Sequence, residues 1–142
     1  MLLSLVPVLA LLGQPAAKPP AGAQGLTAPL VVWSGQYPAP APVKSAGEVA
    51  TELIGTEQAW ARFWKARRAG EQLPRLDFAR VFVAVATQPG VALDSLHLGP
   101  DGRHPHALWW GAWEGRTEGV GYVAGVFARD GVADIGGRPL PR

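Results

Sequence analysis

The chain has 142 residues, 48% of them hydrophobic and 17% charged, and it contains no cysteine. Thirteen Lys and Arg against eleven Asp and Glu leave a formal charge of only +2, too small a field to steer the chain onto nucleic acid. The missing cysteine excludes thiol catalysis, Cys-ligated zinc, a lipobox anchor and any disulfide staple, so the core has to hold unaided.

In chain order, MLLSLVPVLALL carries no charged side chain and is too short to span a bilayer as a helix, which takes about 20 residues. It is predicted to be the core of an export signal occupying residues 1–23, with Ala21-Gly22-Ala23 supplying the small-x-small pattern of a cleavage site. Pro7 interrupts the run and the spacer after Leu12 is long, so earlier cutting or retention as an anchor are the alternatives. Export would place the mature chain in the periplasm or outside the cell, with no stable membrane span. Residues 24–29 have no apolar period and are predicted to form a disordered lead-in, leaving 30–142 as a single domain.

Leu30 to Trp33 is predicted to be a first strand. Tyr37 to Pro42 then alternates proline, which removes every second ladder donor and predicts an extended crossing. Val49 to Ile54 is a second strand. The clearest element is a helix over about 56–69: Thr56 as cap, Glu57 where negative charge is favoured, and Gly70 free to turn left-handed at the end. Trp60, Phe63 and Trp64 fall at i, i+3 and i+4 on one face, whose burial is worth on the order of 10 kcal/mol, whereas Arg62, Lys65 and Arg68 are placed away from it. The basic run Lys65-Ala66-Arg67-Arg68 is read as a solvated last turn whose cations complement the helix dipole.

Val81 to Ala86 is an apolar run of strand length that wants cover on both faces, which makes it a central strand. Val91 to Leu98, His106 to Trp113, Val120 to Ala128 and, after an Asp130-Gly131 turn, Val132 to Ile135 are further strands. One amphipathic helix among six or seven short strands indicates an α+β fold with a mostly antiparallel sheet.

The residues with most chemical content are in DGRHPHALWW. With Asp101-Gly102 as a two-residue loop, His97 faces His106 and all three histidines share a face, but that loop needs an amide from Pro100, which has none. A type I turn with Pro100 second and Gly102 in the bulge position needs no such donor and sets His97 opposite Pro105. His104 and His106 then remain together, one ligand short of a usual zinc site unless Asp94 or Asp101 completes it. Trp109 and Trp113 share one strand face and Trp110 takes the other. The candidate binding residues are Trp109, Trp110, Trp113, His104 and His106, and no metal or other cofactor is expected.

No catalytic residues are assigned. Ser34, Ser45 and Ser95 lie outside any Gly-x-Ser-x-Gly elbow, and the glycines of Gly119-Val120-Gly121 precede a strand rather than a helix. Glu114 and Glu118 bracket an expected turn without further support for acid-base work.

The block TELIGTEQAWARFWKARRAGEQLPRLDFARVFVAVAT resembles exported bacterial proteins of the PrcB-like type, which include protease-complex subunits. Thr56, Trp60, Trp64, Pro74, Asp77 and Phe78 carry the resemblance, and GVGYVAGVFARDGVADIGGRPLP is similar to the end of an uncharacterised secreted subset. Gln88-Pro89-Gly90-Val91 departs from the Thr-Gly-Gly-Tyr-like stretch common there. The resemblance implies an exported helix-on-sheet fold, and the chain is read as a non-enzymatic module that presents its Trp-bearing hairpin or its sheet edge to another envelope or secreted protein. Two other classes stay open: a small metal-dependent or hydrolytic enzyme using His104 and His106, and a carbohydrate binder using the tryptophans.

Overall fold

The apolar run Val81 to Ala86 has two faces to bury, and the fold supplies a layer for each. A computed structural model describes residues 27–41, 43, 47–99, 107–108, 116–135 and 137–142. The elements are β1 (Val31–Tyr37), β2 (Ala50–Ile54), α1 (Glu57–Arg67), β3 (Val81–Val91), β4 (His97–Leu98), β5 (Ala107–Leu108), β6 (Arg116–Ala128), β7 (Asp134–Ile135) and β8 (Arg138–Pro139). The principal sheet has the order β1-β6-β3-β2 and is antiparallel throughout, whereas β4-β5 and β7-β8 are two-residue ladders. This is an α+β fold with a mostly antiparallel sheet, and β3 is central as its composition requires.

The helix forms where its signals lie. Thr56 is extended, and its hydroxyl accepts from the Ala59 amide at 3.2 Å, which satisfies one first-turn donor. Gly70 has φ +87 and turns the chain away after the cap at Arg68. On the helix side of the sheet, Trp60, Phe63 and Trp64 pack with Trp33, Ile54, Val83, Val85, Tyr122, Ala124 and Val126. Trp33 meets Trp64 edge-on at 5.4 Å between ring centroids, and Trp60 stacks on Phe63 at 5.6 Å, which are favoured aromatic geometries. The aromatic stripe is therefore core.

The opposite face packs Phe82, Ala84, Ala86, Val123 and Phe127 against Val91, Leu93, Leu96, Leu98 and Ile135. The chain after β3 has to cross the back of β6 to reach this position. It does so over Gly121, where an added Cβ would collide with the Val91 carbonyl, so only glycine fits.

Several boundaries differ from expectation. The strand expected over Val81 to Ala86 runs on through Pro89-Gly90 to Val91, with a register shift between Pro89 and Val91 and Gly90 at φ +78. A bulge is the one interior position where proline is tolerated, and the ladder with β2 ends at Thr87, short of it. The strand expected from Val91 to Leu98 is consequently split, with Val91 closing β3 and His97–Leu98 forming β4. Neither expected hairpin register occurs: His97 faces Leu108, and Leu98 faces Ala107. Two-residue strands contribute too little pairing for turn chemistry to dictate register, and Leu98 also exchanges backbone hydrogen bonds with Thr27 at 2.8 and 3.0 Å. Thr27, inside the stretch read as a structureless lead-in, thus belongs to the fold. β6 starts at Arg116 rather than Val120, which puts Glu118 within a strand and not at the edge of a turn.

Candidate functional site

The two edges of the principal sheet are finished in opposite ways. At β2, the C-terminal segment returns and touches the edge at Thr51. Arg138 donates to the Thr51 carbonyl at 3.1 Å and to the Thr51 hydroxyl. Arg129 is a clamp: its Nε serves the carbonyls of Phe78 at 2.8 Å and Val81 at 3.0 Å, and its Nη2 those of Gly55 at 3.3 Å and Pro141 at 2.5 Å. The Asp134 carboxylate accepts from the Gly137 amide at 3.0 Å and shapes the turn that carries Arg138 back toward β2.

At β1 no chain segment returns in this way among the described residues, and a side chain, that of Arg68, reaches the strand at the Ser34 carbonyl. The strand runs seven residues in continuous register with β6, and VVWSGQY contains no proline, no bulge and no charge. Those are the features by which sheet edges are ordinarily blunted against another chain. Trp33 faces the helix-side core, whereas Ser34 and Gln36 are exposed. Gln36 is tied by the Thr117 hydroxyl, which donates to its Oε1 at 2.5 Å. Ser34, Gly35 and Gln36 border a small cavity of about 110 Å³ with Ala92, Leu93 and Asp94.

Above this edge sit two arginines from the end of α1. The Arg67 guanidinium lies 3.8 Å from the Tyr37 ring centroid, a cation-π contact. Arg68 donates through Nη1 to the Ser34 carbonyl at 3.2 Å and the Tyr122 hydroxyl at 3.1 Å, and through Nε to Glu71 at 2.8 Å. Burial works against its charge, but the hydrogen bonds to Tyr122 and Glu71 and their electrostatic contributions prevail and hold its pKa above the ordinary arginine value. It stays cationic at every pH the fold experiences.

This corrects the sequence reading of the basic run. Arg62 and Lys65 are exposed as expected, but Arg67 and Arg68 are half-buried and belong to the β1 edge. The signal was in the helical phase: residues 67 and 68 follow Trp60, Phe63 and Trp64 at seven, four and four positions, on the aromatic stripe rather than opposite it.

The other flank of α1 carries two shallow furrows that share Ala61 and Leu73, of about 650 Å³ and 370 Å³. They follow from the way the chain after the helix is held. Trp60 Nε1 donates to the Pro74 carbonyl at 3.0 Å and Trp64 Nε1 to the Glu71 carbonyl at 3.2 Å, so the indoles pin residues 71–74 alongside the helix. Asp77 continues the connection: its carboxylate accepts from the Ala79 amide, and its carbonyl from the amides of Arg80 and Val81. Phe78 packs against the helix-side core. The six residues that carry the PrcB-like resemblance thus cap the helix, pin the loop and launch β3, which are structural tasks.

His104, His106, Trp109, Trp110 and Trp113, named as candidate binding residues, lie outside the described residues, as does Glu114. His97 is buried, 2% exposed, within the ladder with β5. Among the described residues no three of His, Cys, Asp or Glu come together to form a metal site, and no helix is long and apolar enough to cross a membrane. Compared with known protein families, curated proteins and solved structures, the chain shows no match.

Proposed function

We propose that this chain is an exported, non-enzymatic module that binds another envelope or secreted protein through the outer edge of β1. The observation that carries the reading is the asymmetry between the two sheet edges. Arg138 ties Thr51 of β2, and Arg129 ties Gly55 just beyond it, to the C-terminal segment, whereas the seven uncharged residues of β1 meet no such segment among the described residues and are met at the Ser34 carbonyl by the Arg68 side chain. An unsealed edge of that length is a template for pairing with another chain, and strand addition is a recurrent mode of protein recognition. The charge-free run of residues 1–12 and the Ala21-Gly22-Ala23 site support export, and the PrcB-like order of residues from Thr56 to Phe78 supports an exported helix-on-sheet module.

A photo-reactive amino acid placed at Gln36, on the exposed side of β1, tests the reading in the native cell envelope. A discrete adduct from position 36, absent when the probe is at the exposed Arg80, is the expected result. No adduct from position 36, or only the non-specific ladder also given by position 80, would contradict it.

A further inference from the structure

We infer that the segment added to β1 is an extended acidic one, with carboxylates at every second residue facing Arg67 and Arg68. The inference rests on the binding-module reading and supplies the chemistry of the partner. Arg67 above Tyr37 and Arg68 beside Ser34 place two guanidinium groups along the helix side of the edge, at strand positions three residues, or about 10 Å, apart. A strand lying against β1 presents alternate side chains to that side, about 7 Å from one to the next, so two acidic residues at i and i+2 or i and i+4 reach the pair. Arginine forks are suited to this, since the guanidinium meets a carboxylate through two parallel N–H donors.

The opposite side of the edge has another character. Asp94 lies with Ser34, Gly35 and Gln36 around the small cavity there, so a carboxylate entering from that side meets a like charge. The pattern that fits is acidic residues alternating with neutral ones. A second copy of this chain fits less well. An antiparallel pairing of two β1 strands about Ser34 would bring the two Arg68 guanidinium groups together across the axis, and VVWSGQY offers no carboxylate to separate them.

Arg68 also acts as the latch. Its bond to the Ser34 carbonyl occupies an acceptor of the edge strand, and Glu71, with its side chain 54% exposed, holds the guanidinium as an internal stand-in for the partner's carboxylate. An arriving acidic strand displaces Glu71, and its amide takes over the Ser34 carbonyl. Glu71→Gln removes the competitor and should tighten binding, whereas Arg67→Gln with Arg68→Gln should weaken it.

The test uses the full folded chain and fluorescein-labelled peptides of four Glu-Val repeats, the matching Gln-Val and Lys-Val peptides, and a Glu-Val peptide N-methylated at alternate amides. Fluorescence anisotropy is expected to give Glu-Val at least about tenfold tighter binding than Gln-Val, with Lys-Val weaker still and the N-methylated peptide silent. Glu71→Gln is expected to tighten the Glu-Val complex several-fold, and because it leaves Arg68, Ser34 and Tyr122 in place it stands even if the double arginine variant fails to fold. Equal binding of Glu-Val and Gln-Val, undiminished binding of the N-methylated peptide, or Glu71→Gln without effect would overturn the acidic-strand inference. Concentration-dependent dimerisation with amide protection over residues 32–36 would overturn it in favour of self-pairing. An adduct from position 36 in the envelope alongside charge-blind peptide binding would sink this inference while leaving the module reading intact.

Discussion

Trp60 offers the sharpest test of how α1 is held to the sheet, because two of its contributions can be removed separately. The side chain is 1% exposed, its rings lie 5.5 Å from Trp33, 5.6 Å from Phe63 and 5.2 Å from Trp64, and its Nε1 donates to the Pro74 carbonyl at 3.0 Å. Trp60→Ala removes all of this. Truncation of a buried indole costs about 3–5 kcal/mol, and the Pro74 carbonyl left without its donor adds about 1 kcal/mol. Since a domain of this size has a total stability of about 5–15 kcal/mol, the variant should be at the limit of folding. Trp60→Phe keeps a ring against Trp33 and Phe63 but loses the donor and part of the buried ring volume, together about 2 kcal/mol, or a fall of about 10 °C in Tm. Urea unfolding followed by circular dichroism measures both, and amide exchange locates the second: in Trp60→Phe, residues 71–76 should exchange faster while the amides of β3 and β6 keep their relative protection. A change below about 0.5 kcal/mol for Trp60→Ala, the range of exposed positions, would refute the inward stripe.

Further substitutions probe other joints. Arg129→Met withdraws donors from the carbonyls of Gly55, Phe78, Val81 and Pro141, and should cost about 3 kcal/mol and release the C-terminal segment to early proteolysis. Gly121→Ala drives a methyl group into the Val91 carbonyl and should destabilise by more than about 2 kcal/mol in thermal melts, whereas Gly131→Ala, at φ +76 with open space around it, should cost only about 1 kcal/mol. Thr56→Ala removes the cap on the Ala59 amide and should cost about 1 kcal/mol in urea titration, with Thr56→Ser restoring most of it.

What was legible in the sequence was whatever depends on neighbours along the chain. Thr56, the aromatic spacing and Gly70 define α1 because capping and helical phase are local, and the unbroken apolar run of Val81 to Ala86 identifies a strand covered on both faces. Long-range geometry was not legible. The register of His97 with Leu108 is fixed in a pair of two-residue strands, where no periodicity exists to be read. The tie between the β2 region and the C-terminal segment depends on Arg129 reaching Gly55 and Arg138 reaching Thr51, contacts 74 and 87 residues apart in the chain. Proline and glycine at 89 and 90 look the same in a sequence whether they end a strand or bulge it. Of the candidate site, Ser34 was weighed only as a nucleophile and Arg68 as a solvated cation. Its place on the aromatic stripe was there to be found in the spacing from Trp64, but its acceptors on Ser34 and Tyr122 come from other strands.

The central proposal is that the edge of β1, which no chain segment covers among the described residues, is covered by a partner in the envelope. The chain has no cysteine, so Ser34→Cys introduces a single thiol at an exposed position of that strand. Its rate of maleimide labelling, compared between the purified chain and the intact native envelope and referenced to Arg80→Cys, measures the claim directly. The account predicts rapid labelling of position 34 in the purified chain and strong protection in the envelope, with position 80 labelled equally in both; equal labelling of position 34 in the two settings would contradict it.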